Sequence, residues 1–90
     1  MNKAQLIERI ATSSNLSKSQ AEIILNSTLE NIAIAVKRGE EVKLVGFGTF
    51  TKLKRKARIG RNPQNGKSIK IAAAWFPKFK PGSDFKELIN

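Results

Sequence analysis

The 90-residue chain carries 17 lysines and arginines against 7 aspartates and glutamates, a formal charge of +10, and has neither cysteine nor histidine. Disulfides, thiolate zinc sites, thiol nucleophiles and imidazole bases are therefore excluded, and no cofactor or metal is expected. A chain this short forms one small domain with a modest core, for which pairing with a second chain is an ordinary route to stability. The opening MNKAQLIERI holds charges at Lys3, Glu8 and Arg9 in place of the apolar core of a secretory signal. No apolar run approaches the roughly 18 residues that suggest a membrane span. A cytoplasmic location is the expectation.

Asn2 with Gln5 three residues later has the form of a capping box at a helix start, and Leu6, Ile7, Ile10 and Ala11 then fall on one helical face. The polar cluster TSSN (12–15) ends this segment. Ser17 with Gln20 repeats the capping pattern. Ala21, Ile24, Leu25, Thr28, Leu29, Ile32, Ala33 and Val36 continue as a helical stripe over about four turns. Gly39 after Lys37 and Arg38 suits a helix C-terminus. Ile23 and Ile34 lie off the stripe and widen the apolar surface, as if the helix touched more than one partner.

Beyond Gly39 the period changes. EVKLV (41–45) alternates and predicts a strand, GFG (46–48) a tight turn, and TFTKLKRKARI (49–59) a second, longer strand. Phe50 and Leu53 break strict alternation, which predicts a bulge or a change of face. GRNPQNG is turn-rich. KSIKIAAAWFPKF (67–79) predicts a third strand, in which Pro77 suggests an edge, a bulge or a break. After Lys80-Pro81-Gly82, Ser83 or Asp84 can cap a short last helix containing Phe85, Leu88 and Ile89.

The charge is unevenly distributed. From Met1 to Glu41 basic and acidic residues balance. From Val42 to Ser83 there is no acid, while Lys43, Lys52, Lys54, Arg55, Lys56, Arg58, Arg61, Lys67, Lys70, Lys78 and Lys80 are all basic. One sign over so long a stretch is the electrostatic footprint of a polyanion-binding surface. Past Leu53 apolar residues are sparse, so the two strands around the loop read as a ribbon projecting from the body. A two-stranded ribbon is a known way to enter a DNA groove. Ile59, Ile69 and Ile71 can hold its strands together or pack on sugars. Pro63 falls at its tip. As a turn residue it would follow Asn62, with Asn65-Gly66 completing the turn. As an apolar wedge it would enter between base steps and kink a duplex.

GFGTF (46–50), GRNPQNGKSIKI (60–71) and FKPG (79–82), in that order after a helical hairpin, resemble the bacterial HU/IHF family of DNA-bending proteins over essentially the whole chain. The wedge reading leans on this resemblance, because HU and IHF are minor-groove architectural proteins. The resemblance implies an α+β fold. It comprises a helical dimerisation part (1–39), a sheet with a protruding DNA-binding arm (40–82) and a C-terminal helix (83–90), intertwined as a dimer. It implies that Pro63 intercalates and that Arg58, Arg61, Lys67 and Lys70 line the groove or its phosphates. Arg55, Asn62 and Lys80 join the candidate DNA-binding set, and Lys3 and Lys18 match body positions that engage flanking DNA. Arg55 and Lys56 are consecutive, so in a strand they face opposite ways. Phe47, Phe50 and Phe79 match an aromatic core shared by two subunits. Position 83 is often basic in the family; with Ser83 here, the resemblance implies a phosphate contact that is either weaker or moved to Lys80 or Lys86. Trp75-Phe76 stands where a smaller or polar pair is usual, with Trp75 either at the arm base or on DNA.

The expected function is a histone-like, nucleoid-associated protein that bends double-stranded DNA with little sequence specificity, favours bent, nicked or flexible DNA, and forms a homodimer. FKPG leans towards IHF and keeps open a site-selective, heterodimeric subunit. An RNA-binding module shares the charge, but the arm between Lys54 and Lys70 has no aromatic to stack unpaired bases. A membrane-surface role fits poorly because the basic segment is strand-like. An enzyme fits least, since no phosphate loop or nucleophile–base pair is present.

Overall fold

The computed structural model describes residues 1–61 and 64–90, with Arg61 described by its backbone. The element order is α1 (Lys3–Ser14), α2 (Lys18–Lys37), β1 (Val42–Leu44), β2 (Gly48–Arg55), β3 (Arg58–Arg61), β4 (Ser68–Ile71), β5 (Ala74–Pro81) and α3 (Ser83–Ile89). The chain divides into two compact units, Met1–Ile34 and Ala35–Asn90.

In the first unit both predicted capping boxes form. The Gln5 N–H donates to Asn2 Oδ1 at 2.9 Å and the Asn2 N–H to Gln5 Oε1 at 3.0 Å. Ser17 and Gln20 make the same reciprocal pair at 3.2 and 3.1 Å. Each box satisfies N-terminal amides that the helix leaves without an internal acceptor. The TSSN cluster does not stop α1 at its first residue. The helix runs through Ser14 and ends at Asn15, whose φ of 56° is left-handed. Within the helix the Thr12 and Ser13 hydroxyls donate back to the Glu8 and Ile10 carbonyls. Ala11 and Ala21, on either side of the connection between the helices, are the buried hydrophobic residues among those described.

Helix α2 ends as its sequence predicts. Gly39 has φ 87°, its N–H donates to the Val36 carbonyl at 3.0 Å, and the Glu40 N–H donates to the Ala35 carbonyl at 2.9 Å. This is the paired closure of a Schellman motif, and the left-handed position calls for a residue without Cβ.

In the second unit the strands form an antiparallel sheet ordered β1-β2-β5 and a separate two-stranded ribbon, β3-β4. β1 is shorter than predicted. The tight turn spans Leu44–Phe47, closed by the Phe47 N–H to the Leu44 carbonyl at 3.0 Å, with Gly46 at φ 84°. Gly48 is the first residue of β2. The expected bulge at Phe50 or Leu53 is absent: β2 and β5 pair without slippage from Gly48↔Pro81 to Arg55↔Ala74. Phe50 and Leu53 are out of phase because both faces of β2 carry apolar groups, Phe50 opposite Phe79 and Leu53 opposite Phe76.

Each long predicted strand is interrupted once. β2 stops at Arg55 and β3 starts at Arg58; β4 stops at Ile71 and β5 starts at Ala74. The ribbon resumes in the same register, from Arg58↔Ile71 to Arg61↔Ser68. The gap falls at Lys56-Ala57 and Ala72-Ala73. Alanines offer little cross-strand contact and have low strand propensity, so the ladder lapses there. Pro77 lies in β5, which pairs with β2 alone and is thus an edge strand, where a missing N–H is tolerated. In α3 the expected side-chain cap is not made. Gly82 occupies the N-cap, without a side-chain hydrogen bond, and Ser83 is already helical. The Gly82 N–H instead donates to the Phe47 carbonyl at 2.8 Å, tying the helix start to the β1–β2 turn.

Gly48 is buried because the Phe79 ring lies across it. A Cβ there would sit 2.5 Å from two Phe79 ring carbons and 2.7 Å from the Lys80 carbonyl oxygen. The second clash is with backbone, which cannot swing aside. Gly48→Ala is expected to destabilise the protein by about 1–3 kcal/mol, the usual range for overpacking, read as a lower midpoint in denaturant with an unchanged m-value.

Candidate nucleic-acid interface

Strand alternation sorts the basic side chains onto surfaces. On the ribbon, Arg58 shares one face with Ile69 and Ile71, and Lys70 shares the other with Ile59. Arg58, Lys67 and Lys70 are exposed. The isoleucines do not form a single seam between the strands, since Ile59 stands 77 % exposed on the opposite face from the other two. Gly60 lies under Ile71, whose Cδ1 would be 2.8 Å from a Cβ at that position. The loop end is shaped by Asn65, whose Oδ1 accepts from the Lys67 N–H at 2.9 Å, and by Gly66 at φ 69°. Asn62, Pro63 and the Arg61 side chain lie outside the described residues. Arg61 itself ends β3, opposite Ser68.

The three-stranded sheet presents a second cationic surface. Lys43, Thr49 and Lys80 stand in one row across β1, β2 and β5, and Thr51 and Lys78 in the next. With Lys86 of α3 they line one groove, rimmed by Glu41. Lys80 and Lys86 both line this groove. Lys43 and Lys78 were not singled out from the sequence. The alternation of Lys78 with Lys80 is the signal that could have found them. Arg55 ends β2 and is exposed, while Lys56 lies in the gap between the ladders, so the two are not neighbours within one strand.

In the first unit Lys3 and Lys18 are the first residues of α1 and α2, and both are exposed. The Lys18 ammonium lies 3.3 Å from Glu8, with the two side chains 72 % and 60 % exposed. An ion pair so open to water is worth about 0–1 kcal/mol, so it leaves Lys18 free to exchange partners.

The opposite sheet face carries the aromatic cluster. Phe79 lies 4.7 Å from Phe50 and 5.3 Å from Phe47 between ring centroids, and Phe47 stacks on Phe85 at 5.0 Å. Phe47, Phe50 and Phe79 are thus brought together within one chain. Phe85, placed from sequence only in the last helix, belongs with them. Phe47 and Phe79 nonetheless remain 45 % and 36 % exposed.

On this same face, nearer the ribbon, Trp75 lies opposite Lys54. The Lys52 ammonium sits 4.5 Å from the indole centroid and that of Lys54 5.8 Å away. Trp75 thus stands at the ribbon end of β5, one residue after that strand begins. Lys52 also donates to the Lys37 carbonyl at 2.8 Å, at the C-terminal end of α2, where a cation meets the negative end of the helix dipole. This lysine within the basic stretch is committed to the protein's own fold.

The model for the family described as "Bacterial DNA-binding protein" matches residues 1–90. The chain is 51% identical to DNA-binding protein HU-beta of Pseudomonas fluorescens and 53% identical to DNA-binding protein HU-alpha of Serratia marcescens, over 90 residues that cover both chains completely in each case. It superposes on HU of an Anabaena HU–DNA cocrystal structure with a TM-score of 0.94 at 42% identity, covering 99% of this chain and 97% of that one. HU from Thermotoga maritima gives 0.71 at 33% identity over the full length of both. The chain belongs to the bacterial DNA-binding protein family, that of the HU proteins, as GFGTF, GRNP and the helical hairpin indicated.

Replacing Lys52 with methionine keeps much of its aliphatic bulk but removes the bond to the Lys37 carbonyl and the contact with Trp75. Lys52→Met is expected to lower stability by about 1 kcal/mol in urea unfolding, while leaving the salt dependence of nucleic-acid binding as in the parent protein.

Proposed function

We propose that the protein is a non-enzymatic, architectural DNA-binding protein of the nucleoid, working as a homodimer. The observation that carries this is the concentration of cationic side chains on the ribbon and the sheet, with no acid between Val42 and Ser83. Phosphate neutralisation supplies affinity without reading sequence. In this reading Arg55, Arg58, Arg61, Asn62, Lys67 and Lys70 of the arm enter the minor groove, whose hydrogen-bonding pattern is degenerate. Pro63 wedges between base steps and kinks the duplex. Lys43, Lys78 and Lys80 hold phosphates on the sheet, and Lys3 and Lys18 engage flanking DNA. Bent, nicked or flexible DNA binds better because part of its deformation cost is already met.

The dimer is supported by what one chain leaves uncovered. Seventeen large apolar side chains are exposed among the described residues, Phe47, Phe79, Ile24 and Leu29 among them. Large exposed apolar surface on a small domain commonly marks an interaction site. A second copy, donating the same aromatic and helical faces, converts them into a shared core. The unfolding midpoint should therefore rise with protein concentration, as mass action requires of an obligate dimer. A midpoint independent of concentration across a hundredfold range would argue for a monomer.

DNA binding is tested by equilibrium titration at several salt concentrations against intact duplexes of mixed sequence, the same duplex with a nick, and a matched RNA duplex. The affinity should fall linearly on a log–log plot against salt, vary little with sequence, and be greatest for nicked DNA. Pro63→Ala should leave folding intact and reduce DNA bending measured by fluorescence transfer. Unchanged bending would return Pro63 to the role of a turn residue. Preference for one intact sequence would favour the site-selective reading, and equal or better binding to RNA would favour an RNA-binding module.

A further inference from the structure

Trp75 is 58 % exposed, in a surface depression bounded by Gly39, Glu40, Glu41, Lys52 and Leu53. The ammonium groups of Lys52 and Lys54 lie at 4.5 and 5.8 Å from its ring centroid. The Phe47–Phe50–Phe79–Phe85 cluster is closed on itself by ring contacts, and Trp75 takes part in none of them. Lysine heads over the indole also make it a poor surface to bury against a second, equally basic copy, while its 58 % exposure leaves part of the ring open. What remains is an aromatic surface flanked by cations at the arm base. That combination binds unpaired nucleotides in single-strand-binding proteins, with a base on the ring and its phosphate on the cation.

Resting on the DNA-binding reading above, we propose that Trp75 and Lys54 form a site for one unpaired nucleobase in otherwise double-stranded DNA. Lys52 is held by the Lys37 carbonyl and steadies the indole, which leaves Lys54 to meet the phosphate. Glu40 and Glu41 border the depression on the β1 side, so the phosphate lies on the Lys54 side and the base over the ring. The site lies on β5, next to the ribbon in sequence, opposite Lys54 of β2. It makes the protein sensitive to a missing partner base as well as to bendability.

The test compares three labelled DNA duplexes of equal length. One is fully paired. One carries a one-nucleotide gap facing a normal base. One carries the same gap facing an abasic residue, which keeps the flexibility and the opposite strand's charge but removes the base. Trp75 is the single tryptophan and the chain has no tyrosine, so its emission reports on this site alone. The base-containing gap should bind about tenfold more tightly than the abasic gap, within the range reached by base–aromatic stacking, and should quench the emission. Trp75→Ala should abolish the difference while keeping affinity for the paired duplex. Trp75→Phe should retain part of the difference and serves as the folded control. Equal affinity for the two gaps, or a buried-type emission that no duplex alters, overturns the site. Failure to bind even the paired duplex is a separate result that overturns the DNA-binding reading itself.

Discussion

The ring of Phe79 lies across Gly48 because that residue has no side chain, and this close approach holds β2 against β5 where the sheet begins. Everything towards the ribbon is counted from there. The register that starts at Gly48↔Pro81 sets Phe50 on Phe79, Lys54 on Trp75 and Arg55 on Ala74. It fixes which lysines share the groove with Thr49 and Thr51 and which lie beside the indole. The turn at Leu44–Phe47 and the start of α3 are drawn to the same point by the bond between Gly82 and the Phe47 carbonyl. A small domain with little buried area relies on such a fixed reference, because a slip of one residue would exchange the cationic and aromatic faces.

The two faces have different tasks, and the chemistry of each follows from what it lacks. The groove face has lysines and threonines and, apart from Glu41 at its rim, no acid. Its charges repel one another unless a polyanion or salt screens them. The aromatic face is incompletely covered by its own chain. In the proposed DNA-bound dimer, phosphates would relieve the electrostatic strain on one side and another copy would cover the exposed carbon on the other, linking stability and binding through the same thin sheet.

Much of this was legible in the sequence. Capping boxes at Asn2 and Ser17 and the glycine at 39 are local chemistry, and local chemistry decides helix ends. The helical hairpin, the three-stranded sheet, the ribbon and the grouping of Phe47, Phe50 and Phe79 were all recoverable from periodicity and the family resemblance. The bulge was misread because alternation assumes one apolar face, whereas Leu53 and Phe76 give β2 and β5 apolar residues on both. The cap of α3 was misread because Ser83 and Asp84 are good capping residues by type, but the backbone of Gly82 is already committed to Phe47. The partners of Lys52 could not be read in advance: its acceptor lies 15 residues away, on the last turn of a helix. Lys43 and Lys78 were passed over because single lysines in a basic chain carry no distinction until neighbouring strands align them.

The interruption between the sheet and the ribbon removes two residues from each strand, Lys56-Ala57 and Ala72-Ala73. Two is an even number, and strand faces alternate with a period of two. The frame is therefore conserved across the gap: Lys70 keeps the parity of Lys78 and Lys80, and Arg58 that of Phe50 and Lys54. The ladder can loosen at this level, and the ribbon can turn relative to the sheet, without scrambling which residues face together. Length variation at this joint is thus constrained to paired steps. A single added or deleted residue on both strands would leave the ribbon pairing in place and yet exchange the faces on which Arg58 and Lys70 stand relative to the sheet.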